Sequence, residues 1–216
     1  MKISASTNPP SQALLKGYVA QLNSEDVDFI HVDIMDGKFV SNKTFDYKFM
    51  ASLREVTSIP FDVHLMTINP QRTIKKYIKA GADIVSVHYE AFKNDKSIQK
   101  TLQKIRKLGG FAGLSFRPST PVENILPLLP YVDVLLVMSV EPGKSGQQFI
   151  LETLNRLDII NSYIKEQCLT LVVEVDGGVN EKNIKFLKER GVDMVVLGNY
   201  LFTSKHLAKS IDKIKC

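Results

Sequence analysis

Residues 29–35 read Phe-Ile-His-Val-Asp-Ile-Met, a short apolar run that polar side chains interrupt at His31 and Asp33. An alternation with a period of two is typical of a β-strand, because successive side chains of a strand point to opposite faces. His31, Asp33 and Met35 therefore share one face. The run ends at Asp36-Gly37, which is a turn signal. This stretch predicts a strand that carries an imidazole and a carboxylate close to its end.

Seven further runs of this kind are found along the chain, and each stops at a polar or glycine residue before a segment with helical period. The predicted strands are residues 2–6, 29–35, 61–66, 84–88, 111–116, 132–138, 171–176 and 194–198. The predicted helices are residues 12–22, 47–55, 70–79, 95–107, 122–126, 151–165, 181–190 and 204–213. Pro70 and Pro121 mark two helix starts, and Gly81, Gly109 and Gly191 mark three helix ends.

Eight successive βα units leave two main architectures, an open doubly wound sheet and a closed (β/α)8 barrel. No G-x-G-x-x-G follows the first predicted strand, which disfavours the dinucleotide-binding sheet. The sequence therefore predicts an α/β protein in which residues 1–216 form a single (β/α)8 TIM-barrel domain. In such barrels the functional residues lie where the strands end.

Composition and charge exclude several other classes of protein. Hydrophobic residues make up 44% and charged residues 24% of the chain, which is typical of globular proteins and excludes a disordered, collagen-like or coiled-coil chain. No apolar stretch approaches the ~20 residues of a membrane span, and the first residues lack a signal-peptide pattern. We therefore expect a cytoplasmic protein without a membrane partner. Cys168 and Cys216 form no metal-binding or disulfide pattern and are expected to be free thiols.

The formal net charge of +5 raises the alternative of a nucleic-acid-binding protein. The lysines, however, recur at helical spacing among apolar residues, as in Lys93, Lys96 and Lys100. This pattern is typical of the solvent faces of separate helices. We expect no nucleic-acid partner, whereas a mildly positive field favours small anionic ligands.

Two further predicted strands end in chemistry-bearing side chains, the third in Asp62-Val63-His64-Leu65-Met66 and the seventh in Glu174-Val175-Asp176. If these faces point into the barrel, His31, Asp33, His64 and Asp176 converge near its mouth. Two imidazoles and two carboxylates suit a divalent transition metal such as zinc, iron(II), manganese or cobalt. Taken singly, a buried His is more often a hydrogen-bonded core residue, and a strand-end Asp often caps a helix. The combination of all four favours the metal site.

Two glycine-containing turns indicate an anion site. Gly177-Gly178 follows the seventh predicted strand, and Gly198-Asn199 follows the eighth, where barrels often bind phosphate through backbone N–H groups. The alternative is that the glycines only serve tight turns. The loop after the sixth strand contains Gly143-Lys144-Ser145-Gly146, and it is either a lid or a loop without a role. Met35, Met66 and Met138 form an apolar pocket wall or, alternatively, ordinary core.

Several segments together resemble the ribulose-phosphate 3-epimerase family. The matching residues are 31–40, 62–66, 81–83, 88–90, 138–149 and 175–179, in the order that the family has them. The resemblance implies a barrel of the ribulose-phosphate-binding type, one divalent metal ion held by His31, Asp33, His64 and Asp176, a sugar-phosphate substrate and assembly into a homo-oligomer. It also implies that Asp33 and Asp176 are the two acid–base groups.

The resemblance implies epimerisation at C3 of a ketose phosphate through an enediolate, with D-ribulose 5-phosphate and D-xylulose 5-phosphate as the expected pair in the pentose phosphate pathway. The alternatives are a hexulose 6-phosphate substrate, such as allulose 6-phosphate, and a barrel that binds a sugar phosphate without turnover. A Schiff-base aldolase is disfavoured, because no predicted strand ends in lysine. The residues expected to contact the substrate are Ser6, Met35, His64, Met66, Met138, Gly143, Lys144, Ser145, Gly146, Asp176, Gly177, Gly178, Gly198 and Asn199.

The chain departs from the family pattern at positions that concern the substrate more than the reaction. Asn8 and Ser11 replace a Leu and an Asp after the retained Ser6, and Asn199 replaces a Ser in the phosphate turn. Lys144-Ser145 replaces Phe-Gly within the lid, and Arg117 stands where Asn or Lys is common. None of these changes removes a predicted metal ligand or acid–base group.

Overall fold

Eight parallel strands close into a barrel in the computed structural model, which describes residues 1–216. The strands follow one another around the barrel in chain order, and the eighth pairs with the first. They are β1 Lys2–Ser6, β2 Phe29–Met35, β3 Phe61–Met66, β4 Ala82–His88, β5 Phe111–Phe116, β6 Val134–Met138, β7 Val172–Asp176 and β8 Met194–Leu197. The predicted (β/α)8 barrel is confirmed.

The helices alternate with the strands and surround the barrel. They are α1 Gln12–Leu22, α2 Tyr47–Leu53, α3 Ile74–Lys79, α4 Asp95–Lys107, α5 Thr153–Glu166, α6 Ile184–Glu189, α7 Asn199–Phe202 and α8 Leu207–Lys215. Short 3-10 helices occupy Pro70–Arg72, Tyr89–Ala91, Val122–Asn124 and Leu126–Tyr131. None of the helices has the length and apolar character that crossing a lipid bilayer requires.

Several element boundaries differ from the sequence prediction by a few residues, and three of the differences have identifiable reasons. The helix expected at residues 122–126 is replaced by two 3-10 helices, because Pro127 and Pro130 cannot donate the backbone hydrogen bonds of an α-helix. The last helix begins at Leu207 instead of 204, since the Ser204 hydroxyl accepts the N–H of His206 in a turn. Strand β4 begins two residues early, at Ala82, where its pairing with β3 shifts register.

The main hydrophobic core lies between the barrel and the surrounding helices and contains 46 buried residues. Alternate strand residues, such as Val32 and Leu114, point outward and pack against helix residues such as Leu15 and Leu157. Because each strand has a period of two, the intervening residues point into the barrel. Packing of one set of alternate residues in the outer core therefore places the other set inside the barrel.

The barrel interior has an apolar base and a polar middle. Ile84, Val134 and Met194, near the amino ends of their strands, pack together with the partly buried Phe29 and Val172. Above this base lie polar side chains that are fully inaccessible to solvent, namely Ser4, Asp62, Ser86, Ser115 and Glu174. A polar layer in a barrel interior is costly unless its groups are paired. This layer lies directly below the carboxyl ends of the strands.

Replacing Phe116 by Ala is expected to lower the free energy of unfolding by about 3–5 kcal/mol. Phe116 is fully buried in the outer core, and the guanidinium of Arg156 lies 4.5 Å from its ring centroid. Phe111→Ala is the matched control, because Phe111 lies on the same strand but is 60% exposed, and we expect a change of at most about 0.5 kcal/mol. Urea unfolding measures both values, and a loss below about 1 kcal/mol for Phe116→Ala contradicts this account.

Candidate active site

Four polar side chains meet at the carboxyl ends of β2, β3 and β7. The candidate ligand atoms of His31, Asp33, His64 and Asp176 all lie within 4.8 Å of one another. His31 Nε2 and His64 Nδ1 lie 3.6 Å and 3.3 Å from Asp33 Oδ1, and both lie 3.9 Å from Asp176 Oδ2. Asp33 and His64 are register partners on adjacent strands, whereas β7 is separated from β2 by β8 and β1. The barrel thus brings together the four residues that the sequence singled out, which we name the His31/Asp33/His64/Asp176 cluster.

The cluster has the chemistry and spacing of a metal site. Atoms bound to one tetrahedral ion at about 2.1 Å lie about 3.4 Å from one another, close to the observed separations. His31 Nε2 is fully buried and has no hydrogen-bond partner. Because a buried polar atom without a partner is costly, a cation at this position would satisfy it. The cluster can therefore hold a divalent metal ion.

The orientation of His31 is set from below the cluster. Its Nδ1 lies 2.5 Å from Asp62 Oδ2, which also accepts a hydrogen bond of 3.0 Å from the Ser4 hydroxyl. An ionised carboxylate only accepts hydrogen bonds, so Nδ1 of His31 carries a hydrogen, and in the neutral ring, which is the form that binds a metal, Nε2 keeps its lone pair. A carboxylate behind a ligating imidazole is a recurrent support of metal sites. Asp62 therefore directs Nε2 of His31 into the cluster.

The two aspartates of the cluster differ in their affinity for protons. Burial raises the pKa of Asp176 to about 6, with a further contribution from the charge of Asp33. Burial also opposes ionisation of Asp33, but His31 and His64 outweigh it and hold the pKa of Asp33 well below its usual range. Of the two carboxyl groups, Asp176 is therefore the one that holds a proton more readily.

The carboxylate of Asp33 is held in place by the last residue of β1 and by the residues directly after it. The hydroxyl of Ser6 donates a hydrogen bond of 2.9 Å to Asp33 Oδ2, leaving Oδ1 directed at the two imidazoles. The same hydroxyl accepts the N–H of Asn8 at 3.0 Å, and the Thr7 hydroxyl accepts the N–H of Asp33 at 3.3 Å. Ser6 thus contacts Asp33 and helps to fix its orientation.

A cavity of about 490 Å³ opens directly above the cluster, within the size range of small-molecule sites. The predicted residues that line it are Ser6, Asp33, Met66, Met138, Gly143, Lys144, Ser145, Gly146, Asp176, Gly177, Gly178, Gly198 and Asn199. His31 and His64 are fully buried and do not line it. Met35 is also buried and lies outside the lining, because its side chain is covered within the protein.

Other lining residues were not singled out by the sequence analysis. They are Asn8, Val140, Glu141, Pro142, Gln147, Gln148, Phe149, Val179, Asn180, Lys182, Val196 and Tyr200. Four of them, Pro142, Gln147, Val179 and Tyr200, directly flank predicted site residues, and this proximity is the signal that could have identified them. Lys182 precedes α6 and lies at the cavity mouth.

Gly177 and Gly178 form a turn that only glycine fits. Both have positive φ angles, +122° and +63°, and their N–H groups donate no hydrogen bond within the chain. A Cβ on Gly178 would lie 2.5 Å from the backbone nitrogen of Phe149, in the loop after β6. Gly198, which also lines the cavity, precedes α7, where the first N–H groups of a helix have no partner within the helix. This side of the cavity therefore offers backbone donors to an anion.

Replacing Gly178 by Ala is expected to raise KM for a phosphorylated substrate at least tenfold. The added methyl group would collide with the loop after β6, and the collision would displace this loop and the Gly177-Gly178 turn from the cavity wall. Gly191→Ala is the matched control, since Gly191 has a φ of +64° but no atom within 4 Å of the added Cβ. Steady-state kinetics of both variants separates the collision from backbone strain, and equal KM values in the two variants contradict this role for Gly178.

Two comparisons of sequence point to one family. The sequence model of the ribulose-phosphate 3 epimerase family matches residues 2–202. Ribulose-phosphate 3-epimerase of Mycobacterium tuberculosis H37Rv is 42% identical over 188 residues, which cover 87% of this chain and 81% of the relative. The enzyme of the same name from Aquifex aeolicus is 41% identical over 191 residues, covering 87% of this chain and 83% of the relative.

Solved structures share the fold at much lower sequence identity. The 3-hexulose-6-phosphate synthase of Salmonella typhimurium superposes with a TM-score of 0.73 at 17% identity, covering 99% of this chain and 96% of that one. At this identity the likeness concerns the barrel fold alone. The family is shown instead by the match over nearly the whole chain and by relatives at about 40% identity. This chain belongs to the ribulose-phosphate 3 epimerase family and is an isomerase.

Proposed function

We propose that this chain interconverts D-ribulose 5-phosphate and D-xylulose 5-phosphate by inverting the configuration at C3. The observation that carries the proposal is the placement of Asp33 and Asp176, on β2 and β7, around one cavity. Inversion of a carbon centre by proton transfer needs one acid–base group on each face of the substrate. Two carboxylates that reach the cavity from different strands meet this requirement.

In the proposed reaction one carboxylate removes the proton from C3, next to the C2 ketone. The electron pair of the broken C–H bond moves into an enediolate, and the carboxyl group on the opposite face returns a proton to C3. The two aspartates exchange roles when the reaction runs backward. The proton affinity of Asp176, with its pKa raised by burial to about 6, suits this exchange near neutral pH.

The residues that would hold a metal ion are His31, Asp33, His64 and Asp176. When bound, a divalent ion supplies a Lewis acid that polarises the substrate oxygens and stabilises negative charge. Zinc, iron(II), manganese and cobalt all suit a set of two imidazoles and two carboxylates. Ser6 and Asp62 contribute by fixing the orientations of Asp33 and His31.

The remaining predicted residues are assigned to substrate binding. The backbone N–H groups around Gly177, Gly178, Gly198 and Asn199 would bind the phosphate. The loop containing Gly143, Lys144, Ser145 and Gly146 would close over the sugar and exclude water. Met66 and Met138 form an apolar wall of the cavity, whereas Met35 and His64 are buried outside its lining.

The assignment is tested by ¹H NMR of the enzyme with D-ribulose 5-phosphate in D₂O. We expect the C3 proton signal to disappear as xylulose 5-phosphate carrying deuterium at C3 accumulates. Conversion without deuterium incorporation contradicts proton transfer to solvent-exchangeable groups, and no conversion contradicts the activity. Allulose 6-phosphate is the comparison substrate, and a higher kcat/KM for it would replace the pentulose by the hexulose. The comparisons with known proteins give no support to that hexulose or to a barrel without turnover.

We further propose that residues 1–216 act as one domain, in the cytoplasm, and that the chain assembles into a homo-oligomer, as the family resemblance implies. Light scattering coupled to size-exclusion chromatography measures the mass of the assembly. A mass of 24.3 kDa at micromolar concentration, which is that of one chain, contradicts the oligomer.

A further inference from the structure

A row of hydrogen-bonded side chains leads from the cluster to the end of β4. His64 Nε2 lies 2.8 Å from His88 Nε2, and His88 Nδ1 lies 3.1 Å from Glu90 Oε2. The two imidazole rings meet edge to edge, with centroids 4.9 Å apart and planes inclined by 26°. His64 and His88 are both fully buried. Neither His88 nor Glu90 contributes an atom to the proposed reaction.

The carboxylate of Glu90 is held by donors from the loop after β5. Its Oε1 accepts the backbone N–H of Arg117 at 2.8 Å and the hydroxyl of Thr120, while Oε2 faces His88. A backbone N–H is a donor that cannot reverse its role. Burial opposes ionisation of Glu90, but its hydrogen bonds to His88, Thr120 and Arg117 outweigh burial and hold the pKa of Glu90 below its usual range. The carboxylate is therefore ionised and accepts hydrogen bonds at both of its oxygens.

These contacts determine where the ring hydrogens lie. Because Glu90 accepts, His88 carries its hydrogen on Nδ1, and the Nε2 of a neutral His88 is left as an acceptor. The hydrogen between the two rings must then belong to His64 Nε2. His64 Nδ1 consequently keeps its lone pair, and this is the atom that lies 3.3 Å from Asp33 Oδ1 and 3.9 Å from Asp176 Oδ2.

We propose that Glu90, acting through His88, selects the tautomer of His64 and thereby keeps its Nδ1 free to bind the metal. The inference rests on the proposed ligation of a metal by His64, and it makes His88 and Glu90 positioning residues. His31 has the opposite arrangement, since its Nδ1 is hydrogen-bonded to Asp62 and its Nε2 faces the cluster. The two histidines thus present different ring nitrogens, each selected by its own carboxylate.

The aromatic ring of Phe39 covers this row from the outside. Its centroid lies 4.8 Å from that of His88, and the guanidinium of Arg117 lies 4.7 Å from the same ring. The Arg117 side chain also donates a hydrogen bond of 3.1 Å to the backbone carbonyl of Phe39. Phe39 therefore packs against the ring of His88 and helps to hold it in place.

Glu90→Gln is expected to reverse the direction of the hydrogen bonds along this row, with almost no change in side-chain volume. The Arg117 N–H still requires an acceptor, so the amide oxygen of Gln faces Arg117 and its NH₂ group faces His88 Nδ1. His88 must then accept at Nδ1 and donate from Nε2, which places the hydrogen of His64 on Nδ1. We expect the Kd for Zn²⁺ to rise by about 10–100-fold, which is typical when a residue that orients a metal ligand by hydrogen bonding is replaced.

The test combines Zn²⁺ titration against a competing chelator with ¹⁵N NMR of histidine-labelled protein, recorded on the metal-free protein to read the tautomers and again after Zn²⁺ loading to detect ligation by His64. The chain has only four histidines, so each ring can be assigned. In the wild type we expect His88 to carry its hydrogen on Nδ1, and in Glu90→Gln on Nε2. Thr120→Val is the matched control, because it removes a donor to Glu90 and leaves the carboxylate, so both the Kd and the tautomer should stay as in the wild type.

Each result decides the inference. A wild-type His88 that carries its hydrogen on Nε2 overturns it, and so does a Glu90→Gln variant whose Kd for Zn²⁺ stays within twofold of the wild type. The wild-type spectrum is decisive even where the variant fails to fold. If Zn²⁺ leaves the His64 Nδ1 signal unchanged, the proposed ligation itself is wrong and the inference falls with it. If His64 binds Zn²⁺ through Nδ1 while His88 carries its hydrogen on Nε2, the proposed ligation stands and only the role of Glu90 is refuted.

Discussion

Asp176→Asn is expected to lower kcat by at least about 100-fold, the usual scale for the loss of an acid–base group. The substitution keeps the shape of the side chain and an oxygen atom that faces the cluster, but an amide neither accepts nor returns the C3 proton. The rate of xylulose 5-phosphate formation at saturating substrate and metal measures the effect. Metal content, measured on the same sample, separates loss of the acid–base group from loss of the ion.

The exchange of the C3 proton with D₂O gives a sharper form of this prediction. Each carboxylate serves one face of the substrate, so Asp176→Asn should still exchange the C3 proton of one epimer, and Asp33→Asn that of the other. Asp158→Asn is the control, because Asp158 lies on α5 and its side chain is 53% exposed. We expect its kcat to equal that of the wild type. Exchange of both epimers by Asp176→Asn rules out the two-carboxylate assignment.

The barrel could be predicted from the sequence because its strands are buried on both faces, against the outer core on one face and in the barrel interior on the other. Strands β1, β2, β3 and β5 begin and end at the predicted residues. The failures occur where local interactions compete with periodicity. Pro127 and Pro130 prevent an α-helix in an otherwise apolar segment, and the Ser204 turn delays the last helix.

The cluster could be predicted because the carboxyl ends of barrel strands meet at one mouth, so inward residues near the ends of β2, β3 and β7 converge. The residues that orient the cluster, Asp62 and Glu90, could not be predicted, since their contacts depend on the register between strands and on the path of a loop. Asp62 reaches His31 because these two residues are register partners on adjacent strands. Glu90 becomes an acceptor only through the loop after β5, which supplies the N–H of Arg117.

The polar layer below the cluster has a consequence for its charge. Burial, together with the negative charge of Asp62, raises the pKa of Glu174 well above its usual range. Burial also disfavours ionisation of Asp62, but His31 outweighs it and keeps the pKa of Asp62 low. Of two adjacent carboxyl groups only one is therefore ionised, which limits the cost of burying them. The ionised member is the one that contacts His31 and directs it into the cluster.

Removal of divalent metal ions is expected to lower the activity to below about 1% of its initial value, because two buried imidazoles and two carboxylates then lack the charge that organises them. Prolonged treatment with a chelator, followed by its removal, measures the effect. Activity should return on addition of a single type of ion, and comparison of zinc, iron(II), manganese and cobalt then identifies the metal that supports turnover. Activity that survives in protein shown by elemental analysis to hold no metal contradicts the metal site.

The same treatment should lower thermal stability while the fold persists, since the 46-residue outer core includes none of the four proposed ligands. An ion present at 100 times its Kd adds about 2.7 kcal/mol to the free energy of unfolding. In a chain of this size that corresponds to a rise in Tm of roughly 5–10 °C. His31→Gln should abolish this rise, because it removes the ring nitrogen that has no other partner. His206→Gln is the matched control and should retain it, since His206 is exposed and lies outside the cluster.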